Sequence, residues 1–279
     1  LARWRAAEAG LMRGYAAGAG CLMSFLRTAL DDPHAGEKCG ACSVCTGVLP
    51  GGLPMVASAA DADAARVFAR GRDVVIEPRK MWPSGGVERP HGGIWKGRIR
   101  PVVEAGRAPA FADDPGWAQA LAFLGAGFTS GGLGGTGFTG GGTADAELPP
   151  EIADGVVGLL VRWRAHWPVR PAAVVAIPSR SRPRLVGSLA AHIATVGRLP
   201  LVGAFDIDGP APVTGVASGR RAAAVARSLR RREDASLPAG PVLLVDDVYA
   251  TGWTMTVAAA LLAEHGVDQV YPLVLHQRP

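Results

Sequence analysis

The stretch "VLLVDDVYATGWT", residues 242–254, decides how the larger part of this chain reads. Four apolar residues end in two acids. A short loop of small and hydroxylated residues follows, and then an apolar helical pattern, "WTMTVAAALLAEHG". An apolar run of this length, bounded by turn residues, fits a strand buried on both faces. Carboxylates at the carboxyl end of such a strand, followed by the start of a helix, form a ligand-binding arrangement. Asp246 and Asp247 can accept hydrogen bonds from a diol. The loop through Thr251, Gly252 and Thr254 offers backbone N–H groups and hydroxyls where a helix N-terminus favours a phosphate. A diol and a phosphate together describe a ribose 5-phosphate.

The surrounding residues alternate between strand and helix. "EIADGVVGLLVRWRAHW" carries a helical stripe through Ile152, Val156, Leu159, Leu160, Trp163 and Trp167. "AAVVAIPS" reads as a buried strand, "PRLVGSLAAHIATVGR" as a helix, "LPLVGAFDI" as a strand, "GRRAAAVARSLRRRE" as a basic helix and "QVYPLVLHQ" as a final strand. Such alternation predicts an open α/β sheet, mostly parallel, with ligands at the carboxyl ends of its strands. These thirteen residues resemble the 5-phosphoribosyl-1-pyrophosphate (PRPP) motif of type I phosphoribosyltransferases, and the resemblance extends over about residues 150–279. It implies a pyrophosphate loop at "AIPSRSRPR", residues 176–184, with Arg180 and Arg182 as its cations, and a Mg²⁺ ion bridging pyrophosphate and ribose hydroxyls. Trp253 stands where small residues are commoner and would crowd the phosphate.

The other end of the chain has a different chemistry. All four cysteines, Cys21, Cys39, Cys42 and Cys45, fall within 25 residues in the pattern C-x17-C-x2-C-x2-C. Two-residue spacing lets neighbouring thiolates converge on one tetrahedral ion, which predicts a closed, structural Zn²⁺ site. Disulfides are the alternative and would need an oxidising compartment. The first residues show no secretory pattern. "MRGYAAGAGCLMSFLRTALDD" followed by "CGACSVCTG" resembles the zinc-binding module of RecQ-family DNA helicases over roughly residues 5–47. The resemblance implies a bacterial ATP-dependent 3′-to-5′ helicase of DNA repair or recombination. Its motor domains would lie upstream in cis, DNA would be its partner, and its place would be cytoplasmic and nucleoid-associated. The sequence contains no G-x-x-x-x-G-K-[ST], so ATP hydrolysis by that route is not expected of it. Leu1 is not a methionine, which suggests a piece of a longer protein.

Between these ends lie a helix, "SAADADAARVFAR" with Ser58 as N-cap, and two short strands, "DVVIEPRKMWP" and "GGIWKGRIRPVV", expected to form a hairpin across "SGGVERPHGG". The resemblance to RecQ helicases implies a winged helix after the zinc module, and a helix followed by a hairpin would be a reduced version of it. Arg79, Lys80, Trp82, Lys96 and Arg98 interleave cations with aromatics and suggest nucleic-acid contact. The alternative is tryptophans packed on a neighbour with the charges in water. "GAGFTSGGLGGTGFTGGGT", residues 125–143, reads as a flexible linker. Arg220, Arg221, Arg227 and Arg230 to Arg232 form a second basic stretch, read either as a face for DNA phosphates or as a solvated face with Glu233 and Asp234 adjacent.

The expected organisation is therefore mixed. A small helical Cys₄ zinc module occupies 1–48 and a short α+β connecting module 49–148. An α/β open, mostly parallel sheet of the phosphoribosyltransferase type occupies 149–279. With 29 Lys and Arg against 24 Asp and Glu, the chain is mildly basic, and only three of the cations are lysines. No run of about 18 apolar residues predicts a membrane span. Two functions compete: an accessory region of a helicase with a ribose-phosphate site, or an active phosphoribosyltransferase using PRPP with the zinc module as a fold staple.

Overall fold

A computed structural model describes residues 2–54, 56–100, 102–112, 114–124, 145–209 and 217–278. The expected linker 125–143 lies outside them. The chain divides into two units, one through Ala64 and one from Ala65 onward. Among the described residues, no helix is long and apolar enough to cross a membrane.

Among its described residues the first unit holds the α-helices α1 (Ala2–Ala17), α2 (Leu22–Ala29) and α3 (Ser43–Thr46) and a 3-10 turn at Pro50–Gly52. Cys21 is its single buried described residue. A fourth helix, α4 (Ala59–Arg70), runs across the division. Ser58 Oγ caps it by accepting from the Asp61 N–H at 3.1 Å.

The second unit is built on a seven-stranded sheet. In chain order its elements are β1 (Val74–Ile76), β2 (Val87–Glu88), β3 (Ile94–Trp95), β4 (Gly106–Ala108), β5 (Ala110–Phe111), α5 (Pro150–Trp163), β6 (Ala173–Ala176), α6 (Pro183–Gly197) and β7 (Leu201–Val202). Then come β8 (Phe205–Ile207), α7 (Ser218–Ser228), β9 (Leu229–Arg231), β10 (Val242–Tyr249), α8 (Trp253–Ala263) and β11 (Val270–Gln277). The sheet order is β1-β4-β11-β10-β6-β7, with β5 also on β11. Every pair is parallel except β1 with β4.

Alternation along the central strand feeds two cores. Val242 and Leu244 of β10 face the core containing α7 and α8. Leu243 and Val245 face the core containing α5 and α6. This is why the strand reads as an unbroken apolar run: both faces are covered. Helix α8 is apolar on nearly all sides because Trp82, Val87, Trp95, Ile99 and Val103 cover what would otherwise be its outer face. Trp82 and Trp95 belong to its core, and the Trp95 indole N–H donates to Glu264 at 2.9 Å.

Two expectations for the connecting segment change. Residues 74–111 do not stand apart as a winged helix. Their strands β1, β4 and β5 extend the α/β sheet, and β4 is joined to it by parallel pairing with β11. A hairpin does form across 84–93, pairing β2 with β3 and Met81 with Arg98, but β1 leaves it to pair with β4. The basic stretch from Gly219 also splits. The helix ends at Ser228 and the chain turns into β9, antiparallel to β8.

Candidate phosphate pocket and metal centre

Strands β6 and β10 are parallel neighbours in register, Val245 opposite Ala176, so the loops that follow them leave the same end of the sheet. A cavity of about 210 Å³ opens there, lined by Arg221, Asp246, Tyr249, Thr251, Gly252 and Thr254 among others. Gly252 precedes α8 with φ 75° and ψ 0°. A Cβ at this position would collide with the Tyr249 hydroxyl, so the turn into the helix requires glycine on two grounds. The first turn of α8 leaves its N–H groups without side-chain caps at the cavity.

The two aspartates have separate fates. Asp246 is buried, faces the cavity, and accepts the Asp247 N–H through Oδ1 at 2.8 Å. Burial pushes its carboxyl well above the usual carboxylate range, and the negative Asp247 beside it pushes the same way. Asp247, one residue on, takes the opposite face. Its Oδ2 pairs with Arg182 Nη1 at 2.6 Å, and both side chains are buried. Arg182 Nη2 also donates to the Leu124 carbonyl at 2.7 Å. Arg180 reaches away to donate to the Asp208 carbonyl. The structure thus brings Asp246, Thr251, Gly252 and Thr254 around one cavity and leaves Asp247, Arg180 and Arg182 outside its lining.

Arg221 is the cavity residue that sequence reasoning missed. It was grouped with a surface-basic stretch. Its position one turn before buried Val225, which also lines the cavity, is the signal that set it apart. No carboxylate pairs with it among the described residues. Arg230 to Arg232, by contrast, bind the carbonyls of Ala226 and Ala235 and the carboxylate of Asp234. Trp253 does not crowd the cavity. Its ring turns into the core, with its N–H on Ser218 Oγ at 2.8 Å.

The residues expected to stack bases are committed elsewhere. Trp82 is buried, with its ring 4.9 Å from Trp95 at 8° and 5.9 Å from Trp253 at 18°. Its apolar surface is already satisfied, so it offers no platform to a nucleotide. Arg79 lies over the Trp253 ring at 4.1 Å. Lys80, Lys96 and Arg98 remain exposed.

In the first unit the four Sγ atoms lie within 4.8 Å of one another. Cys21 Sγ and Cys42 Sγ are 3.9 Å apart. Four thiolates at about 2.3 Å from a tetrahedral zinc ion stand about 3.8 Å apart, so the spacing fits such an ion. Backbone N–H groups of Ser24 and Cys39 point at Cys21 Sγ, and those of Ala41 and Cys42 at Cys39 Sγ. The Cys39 and Ser24 amides hold the Cys21 thiol below its ordinary value. Burial raises Cys42, but the Cys45 and Leu22 amides and the neighbouring thiols outweigh it, and the group falls to about 6. The Gly40 amide lowers Cys45, but the other thiols and burial outweigh it and push it up to about 11. Crowded thiolates repel, and a divalent cation removes that conflict. Four cysteines so placed can bind a metal such as zinc. His34 turns to Glu37 at 3.3 Å and stays outside the cluster.

No family model matches the chain, and no curated protein sequence matches it. Among solved structures, the chain is similar to an adenine phosphoribosyltransferase from Leishmania donovani. Identity is 17% and the TM-score 0.32, over 46% of this chain and 66% of the enzyme's. The match therefore spans less than two thirds of the enzyme's length.

Proposed function

We propose that the α/β unit binds a 5-phosphorylated ribose, as free ribose 5-phosphate or as PRPP. The observation that carries this reading is one cavity lined together by Asp246, the start of α8 and Arg221, whose guanidinium pairs with no carboxylate among the described residues. In it Asp246 accepts the ribose hydroxyls. The N–H groups and hydroxyls of Thr251 to Thr254 take the phosphate, and Arg221 adds the positive charge that a dianion needs. A volume of about 210 Å³ is below that of drug-sized sites, which favours a sugar phosphate over a dinucleotide. The buried, proton-retaining Asp246 is costly to ionise when empty. Hydrogen bonds from a diol favour its charged form and repay that cost. A Mg²⁺ ion arriving with PRPP would neutralise pyrophosphate charge. The chain offers it the Asp246 carboxylate, since Asp247 is neutralised by Arg182.

In the same reading the cysteine cluster holds a structural Zn²⁺, and the chain is the C-terminal part of a RecQ-like helicase. The C-x17-C-x2-C-x2-C spacing and the helix α2 that Cys21 caps favour this. DNA phosphates then meet Lys80, Lys96 and Arg98, and this binding weakens with salt. The alternative, an active phosphoribosyltransferase, is separated by a direct assay. Pyrophosphate release from PRPP in the presence of bases would favour the transferase. Binding of PRPP without release favours the accessory site, and absence of binding would remove both.

A further inference from the structure

The phosphate loop is held from behind by a segment far away in sequence. Arg79 Nε donates to the Thr251 carbonyl at 2.6 Å, yet Arg79 is not among the residues lining the cavity. The same segment grips the loop at a second point, where the Tyr249 hydroxyl donates to the Glu77 carbonyl at 3.1 Å. Arg79 itself is fixed. Its guanidinium carbon lies 4.1 Å from the centroid of Trp253, whose ring is stacked on Trp82 and hydrogen-bonded to Ser218. Trp82 is in turn stacked on Trp95, which is tied to Glu264 of the turn after α8.

A trans peptide unit is planar, so its C=O and N–H point in opposite directions. The Thr251 carbonyl is held by Arg79, so the Gly252 N–H of the same peptide is directed away from Arg79, and Gly252 itself lines the cavity. A cation on the carbonyl side also polarises the peptide and strengthens its N–H as a donor. Glycine at 252 leaves this peptide free to rotate, so something outside the loop must set it. We infer that Arg79 is a positioning residue that presets the Gly252 N–H to receive a phosphate. This rests on the reading of the cavity as a ribose-phosphate site. It assigns to Arg79 a role opposite to a surface contact with nucleic acid.

The test uses the whole chain labelled uniformly with ¹⁵N, titrated with ribose 5-phosphate and with inorganic phosphate. In the wild type the Gly252 amide signal should move downfield on binding of either. Arg79→Ala should weaken both ligands by about tenfold or more, the loss of one charge-assisted hydrogen bond. Arg79→Lys should not restore binding, since it keeps the charge but loses the planar guanidinium and its Nε–H. Guanidinium ion added to Arg79→Ala should restore part of it, and a purely structural role would not predict that. Binding in Arg79→Ala within twofold of wild type, or full recovery in Arg79→Lys, would overturn the inference. So would a Gly252 amide that stays still in the wild type while Thr254 responds, a result that needs no variant to fold. If the wild type binds neither ligand, the ribose-phosphate reading itself fails and this inference falls with it.

Discussion

The two units stabilise themselves by different means. The α/β unit encloses two apolar cores, one on each face of its sheet, and its cavity sits at the end of strands held on both sides. The cysteine-bearing unit buries only Cys21 among its described residues, and helices α2 and α3 have no buried side chain apart from that cap. Burial of apolar area is the main stabilising term in folding, so a unit without it needs another source. Four converging thiolates supply that source only when a cation is present. One site is thus a product of its fold, and the other is expected to be a condition for it.

The sharpest way to break this comparison is to remove the metal. Chelation, or Cys21→Ser, is expected to unfold residues 2–54 and leave the α/β unit's melting transition unchanged. Structural zinc contributes about 10–16 kcal/mol in small metal-dependent folds. Metal analysis of the intact chain should give one zinc per molecule. A reduced, metal-free chain with helices α1 and α2 protected from proteolysis would contradict the account.

The next effect lies in the α/β unit. Arg182→Ala leaves Asp247 buried and unpaired, which costs about 3–5 kcal/mol. Its melting temperature should fall steeply, with the cysteine-bearing unit unaffected. A change within the noise would show that the pair is not buried as described.

A smaller effect has the opposite sign. Asp246 keeps its proton in the folded chain well above the pH at which the unfolded chain releases it. The native state binds more protons in that window, so stability falls as pH rises from about 4 toward the raised folded value. Asp246→Asn removes this penalty. The variant should melt higher than wild type at pH 7–8, by about 2–4 °C for each kcal/mol regained, and the advantage should vanish near pH 4. Binding of ribose phosphate should be lost in the same variant, a trade between stability and function.

The parallel sheet was legible because strands covered on both faces are continuous apolar runs, as in Val242 to Val245. Gly252 was legible because the motif places a glycine at the loop's turn. The split between Asp246 and Asp247 was open to reading but not read. Consecutive strand residues face opposite sides, so only one of them can join Leu244 on the α7–α8 face where the cavity lies. Which side Trp82 and Arg79 take was not legible. A hairpin of alternating cations and aromatics shows that one face is apolar, but not what covers it. The cover is α8, about 170 residues later, whose apolar circumference was itself the sign that it needed covering. Arg221 was hidden by its neighbours, because six arginines in one stretch look alike until the cavity wall picks one out.

The central claim is tested most directly by calorimetric titration of ribose 5-phosphate into the wild-type chain and into Asp246→Ala. One site per chain in the wild type, absent in a variant with an unchanged fold, is the predicted result. Equal binding in both, or none in the wild type, would contradict it.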